Sequence, residues 1–480
     1  MFSSASPVAT GGFDDEPPPN PWAADSPWPQ FHRNSHAQKA SPFAGPEAGD
    51  VLLAQTIRTP VGTGTPTQMH LSERYPDGSR TAWSTTLNSI VKARIAGDRF
   101  EIADVVRLHR GLGLVSYWNM QLARSNKAFV PNPRERSIMR FGDMNPRDAM
   151  SPIVREAEFA LPASVPGNPI VLNLSHDGWV IFLTDAGWLG AVKQDFSDAR
   201  YFDLSGEIAD DTIHNSFPLD ENGVAYFVSF EALTAVQWDG DGFRVVWRAP
   251  YDFRGSNCPA PSRSKLREVL RVFRGERCTG SGTTPTLLTV GDDRLVAAVD
   301  GHDRNNLIYF WRDAIPESWP GLPGRDRRIA GVVPLPLATS EGEGFTVENS
   351  PAAASGLLVI AQFAGFEPDC TPPMGVQAVR WNSTANSGEI AWQRPDVHFN
   401  GIPTISRASG MVYGVGLSGG GGCDHVYRGL DLTTGATRVE GVLGRGREYL
   451  DQGNTHALND DGSLIYGSPI GMVRIRAAPR

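Results

Sequence analysis

His214-Asn215-Ser216-Phe217-Pro218-Leu219 runs into the turn Asp220-Glu221-Asn222-Gly223, after which residues 224–230, 232–238 and 243–249 form three short apolar-rich runs. Alternation with a period of two marks a strand with one buried face, and an Asn-Gly turn between two such runs marks a hairpin. Four strands joined this way make a sheet too small to bury its own faces, so copies must stack. The same order recurs with innermost strands beginning near Gly64, Ser116, Asn168, Thr212, Gly280, Thr346, Phe399 and Gln452, at spacings of 44 to 68 residues. That is the period of propeller blades. The turns Asp77-Gly78, Asp177-Gly178, Asn222-Gly223 and Asp461-Gly462 all fall between the first and second strands of their copies. The chain therefore reads as all-β, a single propeller of eight blades, with seven as the alternative.

The last copy ends after three strands, which leaves an unpaired edge, and such an edge invites aggregation. Residues 51–59 form an orphan strand ahead of the first blade. Pairing that strand with the C-terminal blade supplies the missing fourth strand and closes the ring.

Composition agrees. Gly (51) and Pro (37) are frequent, and stretches with helical periodicity are scarce. A net charge of -9 and a pI near 5.6 argue against a nucleic-acid partner, which draws on clustered positive charge. No apolar run approaches the roughly 20 residues that cross a bilayer, and a monomer without a transmembrane segment is expected. Residues 1–30, with Asp14-Asp15-Glu16-Pro17-Pro18-Pro19, read as a disordered tail of the kind that follows a removed secretory signal, ahead of a propeller domain over 31–480. Cys258, Cys278, Cys370 and Cys423 show no C-x-x-C spacing, so two disulfides are expected rather than a metal site. Disulfides place the protein in the periplasm or outside the cell.

Trp28-Pro29-Gln30-Phe31-His32-Arg33-Asn34, followed by Ser41-Pro42, resembles the lead-in of quinoprotein-like (PQQ-repeat) propellers. Leu430-Asp431-Leu432-Thr433-Thr434-Gly435 resembles the Leu-Asp-x-x-Thr-Gly turn of their repeats. The chain is similar in architecture to that eight-bladed superfamily, as a subfamily of unassigned function. The resemblance implies a fold shared by quinone-dependent dehydrogenases and by non-enzymatic scaffolds. Those dehydrogenases carry adjacent cysteines over the cofactor. This chain has no Cys-Cys pair and no C-x-x-C-H, so PQQ is not expected.

Strands alternate in direction within a blade, so the loop leading into strand one and the loop joining strands two and three share a face. Sorted this way, the distinctive polar residues gather. The leading loops carry His214-Asn215-Ser216, Glu348-Asn349-Ser350, residues 398–400 and Asn454-Thr455-His456; the other loops carry His302, Asp303, Glu367 to Cys370, and Cys423-Asp424-His425. Cys370 and Cys423 occupy equivalent loops of neighbouring blades, a natural disulfide. Cys258 and Cys278 bracket an insertion at 251–279 whose apolar residues recur at helical spacing, read either as a helix lying over this face or as a packed surface ornament.

Side-chain oxygens of Glu348, Asn349, Asn215 and Asn454 form a candidate Ca2+ site, since calcium takes six to eight hard oxygen ligands. They resemble in type and position the calcium clusters of gluconolactonase-like and paraoxonase-like propellers; the bland alternative is that they cap strand starts. His214, His456, His302 and His425, with Asp303 beside His302, are candidate catalytic groups, because a neutral imidazole serves as a general base. His398 lies on the same face. The expectation is an extracytoplasmic enzyme acting at the channel mouth on a small ester, lactone or carbohydrate, as a hydrolase with metal-activated water or as a lyase with a His base. The alternatives are a PQQ-dependent dehydrogenase and a binding or assembly scaffold, the last expected to expose an aromatic patch around Trp22, Trp28, Trp311 and Trp319.

Overall fold

A computed structural model of the chain describes residues 15–108, 120–206, 216–229, 231–251, 281, 283–301, 304–339, 349–362, 370–372 and 374–479. Its strands form eight sheets, one per blade. Seven contain four blade strands; the sheet built from Val224–Val228, Ala232–Trp238 and Phe243–Pro250 has three, its innermost position marked by a bridge between Leu219 and Ala225. Among the described residues the only helical piece is a 3₁₀ turn, Arg124–Asn126. The insertion at 251–279 lies, Tyr251 apart, outside the described residues.

The ring closes as the sequence requires. Leu52–Arg58 pairs antiparallel with Gly471–Ala477 in an unbroken register from Leu52 opposite Ala477 to Arg58 opposite Gly471. The four Asp-Gly and Asn-Gly turns share one geometry: Gly78, Gly178, Gly223 and Gly462 lie at φ of 80 to 93°, and each donates its N–H to the carbonyl three residues back. Only glycine adopts that left-handed conformation without strain. Asp431 holds the resemblance-bearing turn by accepting from the Thr433 and Thr434 amides, while Trp392 of the preceding blade donates to the Leu432 carbonyl (2.9 Å).

Blades adhere through apolar faces. Tyr309, Trp381 and Val379 pack between one pair of neighbours, and Leu71, Ile465 and Ile475 between another. Each such side chain taken out of water contributes about 1.5–3 kcal/mol. Trp28, Trp311 and Trp319 are buried in these contacts, so of the four tryptophans expected on an aromatic patch only Trp22 is exposed.

The N-terminal segment departs from expectation. Residues 1–14 lie outside the described part, but 15–30, read as tail from their proline and acid content, are ordered and continue into 31–41 as a plug in the axis of the ring. The plug bonds to the innermost strand of every blade. In ring order, the Trp28 carbonyl accepts from Leu71, the Ala24 amide donates to Leu122, Asn20 Nδ2 donates to the Leu174 carbonyl, and the carbonyls of Ser35, His36, Gln38 and Lys39 accept from Leu219, Leu287, Ala353 and Ile405. Thr455 of the closing blade donates its hydroxyl to the Phe31 carbonyl (3.0 Å). Ala40–Ser41 goes further and pairs as a short parallel strand with Thr404–Ser406. The innermost strands of a propeller are sheet edges with unpaired N–H groups, and a segment down the axis whose carbonyls accept from them satisfies them.

Candidate functional site at the loop face

The plug seats against the face that carries the turns between first and second strands. Trp22 lies against the turn glycine Gly178, His36 Nε2 lies 2.7 Å from Glu221, and Asp15 accepts the Ser355 amide (2.8 Å). Arg407, fully buried, clamps Asp15 (2.6 Å). The axis is thus closed at the turn face, and the leading loops stand at the opposite end.

These loops are stitched to one another by hydrogen bonds between blades. Ser216 and Thr284 share a hydroxyl contact (2.6 Å), Thr284 N–H donates to Ser350 (2.8 Å), and Asn400 donates to the Asp451 carbonyl (2.6 Å). Asn349 donates to the Asn400 carbonyl (3.4 Å), and Asn454 to that of Gly467 (3.2 Å). In both asparagines the amide nitrogen is the engaged atom. Their metal-site companions Glu348 and Asn215, and the candidates His214, His302 and Asp303, lie outside the described residues, as do Cys258 and Cys278. Among the described residues no three His, Cys, Asp or Glu side chains converge as a metal site.

His456 sits at the junction of the last two blades with no solvent exposure. Its Nε2 lies 2.8 Å from Asp451 Oδ2, its Nδ1 3.0 Å from the Tyr427 hydroxyl, and its ring between those of Tyr427 and Tyr466. Gly401 makes room for this carboxylate: a Cβ there would lie 1.6 Å from Asp451 Oδ2. Both ring nitrogens are occupied, and the arrangement is that of a joint between blades.

His425 is different. It lies at the loop end of the strand Gly422–Asp431, and burial lowers its pKa against the opposing pull of Glu448, Asp451 and Asp424. His398, fully buried, accepts the Leu417 amide at Nδ1 (3.1 Å), which puts its ring proton on Nε2. Burial brings it to about 4, and Arg428 and His425 act in the same direction. Both imidazoles are therefore neutral at pH 7, the form that accepts a proton. Cys370 and Cys423 form the expected disulfide, with Cα atoms 4.8 Å apart, tying together the loops of two neighbouring blades beside His425. The Gly416-to-Gly420 segment, which fits G-x-S-x-G, runs through the end of strand Met411–Gly419 and not through a strand-to-helix turn.

Sequence reasoning missed the plug and the space beside it. A cavity of about 20 Å³ lies between Phe31, His32 and Asn34 of the plug and Gln121, Asn173 and Ser216 of the blades. The signal was present in Trp28-Pro29-Gln30-Phe31-His32-Arg33-Asn34, but a segment that bonds through its backbone carbonyls has no side-chain pattern to betray its partners.

No family model matches the chain. It is 32% identical over 434 residues to an uncharacterized protein of Archaeoglobus fulgidus, an alignment covering 85% of this chain and 79% of that one. Among solved structures, the quinohemoprotein alcohol dehydrogenase of Comamonas testosteroni superposes with a TM-score of 0.55 at 11% identity, covering 95% of this chain and 82% of the other. BamB from Moraxella catarrhalis gives 0.49 at 11% identity, covering 90% and 100%. At such identities the likeness to the dehydrogenase concerns the propeller alone.

Proposed function

This chain belongs to the family of the Archaeoglobus fulgidus protein, a kinship that brings no activity with it, and from the channel itself we propose an extracytoplasmic enzyme acting on a small lactone, ester or sugar-like ligand. The observation that carries this reading is the plug. It closes the axis at the turn face, so a ligand reaches the channel from the loop face, where His425 and His398 are neutral. His425, the less buried of the two, is the proposed general base, in a hydrolytic step or in a proton abstraction leading to elimination. The disulfide beside it supports an oxidising compartment. The metal-assisted form of this reading keeps Glu348, Asn349, Asn215 and Asn454 as candidate Ca2+ ligands, with the ion polarising a carbonyl or activating water. Burial of Trp28, Trp311 and Trp319 weighs against a scaffold that docks partners on an aromatic patch.

Turnover of D-glucono-1,5-lactone tests the reading. Hydrolysis above the buffer rate is expected, falling about 100-fold or more in His425→Ala, with a pH profile that drops as His425 is protonated below its ordinary value of 6.5. Equal turnover in the variant removes His425 as base. In a parallel melting series, Ca2+ should raise the Tm of the wild type and leave Glu348→Ala unmoved; equal shifts would remove the metal ligands.

A further inference from the structure

We infer that the plug supplies the floor of the ligand site, where His32 and Gln121 grip a terminal hydroxyl group of a neutral sugar or polyol. This rests on the proposed ligand site and names its recognition chemistry.

His32 is 5% exposed and faces the cavity with Gln121. Neither of its ring nitrogens has a hydrogen-bond partner among the described residues, and neither does Gln121 Oε1, whose amide nitrogen donates to the Leu172 carbonyl (2.9 Å). Buried polar atoms left unpaired are costly, and the side chains that carry these three line the cavity, so a hydrogen-bonding group seated there would relieve part of that cost. Burial, helped by Lys39 and His70, keeps His32 neutral. A neutral imidazole presents one N–H donor and one nitrogen acceptor, and Gln121 Oε1 presents a second acceptor.

The occupant must therefore both give and receive hydrogen bonds. A carboxylate has no proton for Gln121, an ammonium has no lone pair for the ring N–H, and a hydroxyl has both. The volume of about 20 Å³ admits one group the size of a water, hence only the tip of a ligand. The ring is held for this task. It packs on Phe31 with centroids 4.0 Å apart, and the His32 carbonyl accepts from the amides of Asn34 (3.0 Å) and Lys39 (3.1 Å).

The test is calorimetric titration of the full chain at pH 7 with D-glucose, 6-deoxy-D-glucose, which lacks the terminal hydroxyl, and D-glucuronate, which replaces it with a carboxylate. Glucose should bind at least about tenfold more tightly than either analogue, and that preference should vanish in His32→Phe and in Gln121→Met, two independent substitutions whose folding is checked by melting curves. Equal affinities for the three sugars in the wild type, or a preference that survives both substitutions, overturns the floor. Glucose discriminated by its terminal hydroxyl without lactone turnover would remove the proposed reaction and leave the floor standing. Lactone turnover lost in His425→Ala but indifferent to both floor substitutions would do the reverse. In crystals soaked with D-glucose, a hydroxymethyl group beside His32 is expected; water alone there also overturns the floor.

Discussion

His70 and His398 show how a single buried ring couples this fold to acidity. Each is held at about 4 in place of the ordinary 6.5, and in both the main cause is burial, which disfavours the cation. Between those two values the unfolded chain binds protons that the folded chain refuses. Stability is therefore highest above 6.5 and falls as pH drops toward 4, by ~2 kcal/mol per ring between about pH 7 and pH 5. Urea titrations at the two pH values check the loss, and His398→Gln should make it smaller. An unfolding free energy that stays level over this interval would contradict the burial of these rings. The placement of His398, His425 and His456 on a common face follows from strand alternation and was legible in the sequence. The sealing of His456 was not, because it depends on Tyr427 reaching across from the preceding blade to meet Asp451 and Tyr466 of its own.

At the scale of elements, what was legible is what repeats. The blade strands Ala232–Trp238 and Phe243–Pro250 fall within a residue of their expected bounds, and the orphan strand lands on the C-terminal blade, because alternation and glycine turns are local signals. The plug carries no such signal. Its partners are eight different strands spread through the sequence, and its bonds run largely through backbone atoms that every residue type possesses. The proline and acid content that argues for disorder instead suits an extended path anchored by Asp15 on Arg407 and Glu16 on Arg33. The closing strand should behave as a seal. Replacing Leu52–Arg58 with a Gly/Ser linker exposes the edge of Gly471–Ala477, and the expected result is a lower Tm together with oligomers on a sizing column. A monomer with an unchanged melting curve would mean that the ring does not depend on that strand.

The whole molecule is a ring fastened twice. One fastening is circumferential, the pairing of Leu52–Arg58 with Gly471–Ala477; the other is axial, the plug bonded to all eight innermost strands. The first is common to rings that close their own edge. The second gives the channel one closed end, and the proposed use of the loop face as the working side rests on this asymmetry more than on any individual residue. Hydrogen–deuterium exchange of the full chain measures the axial fastening directly. The amides of Leu71, Leu219, Leu287, Ala353 and Ile405, which donate to plug carbonyls, should exchange as slowly as those of the buried blade strand Trp179–Thr184. Rapid exchange at these five positions, at the rate of exposed loops, would show an open axis and contradict the account.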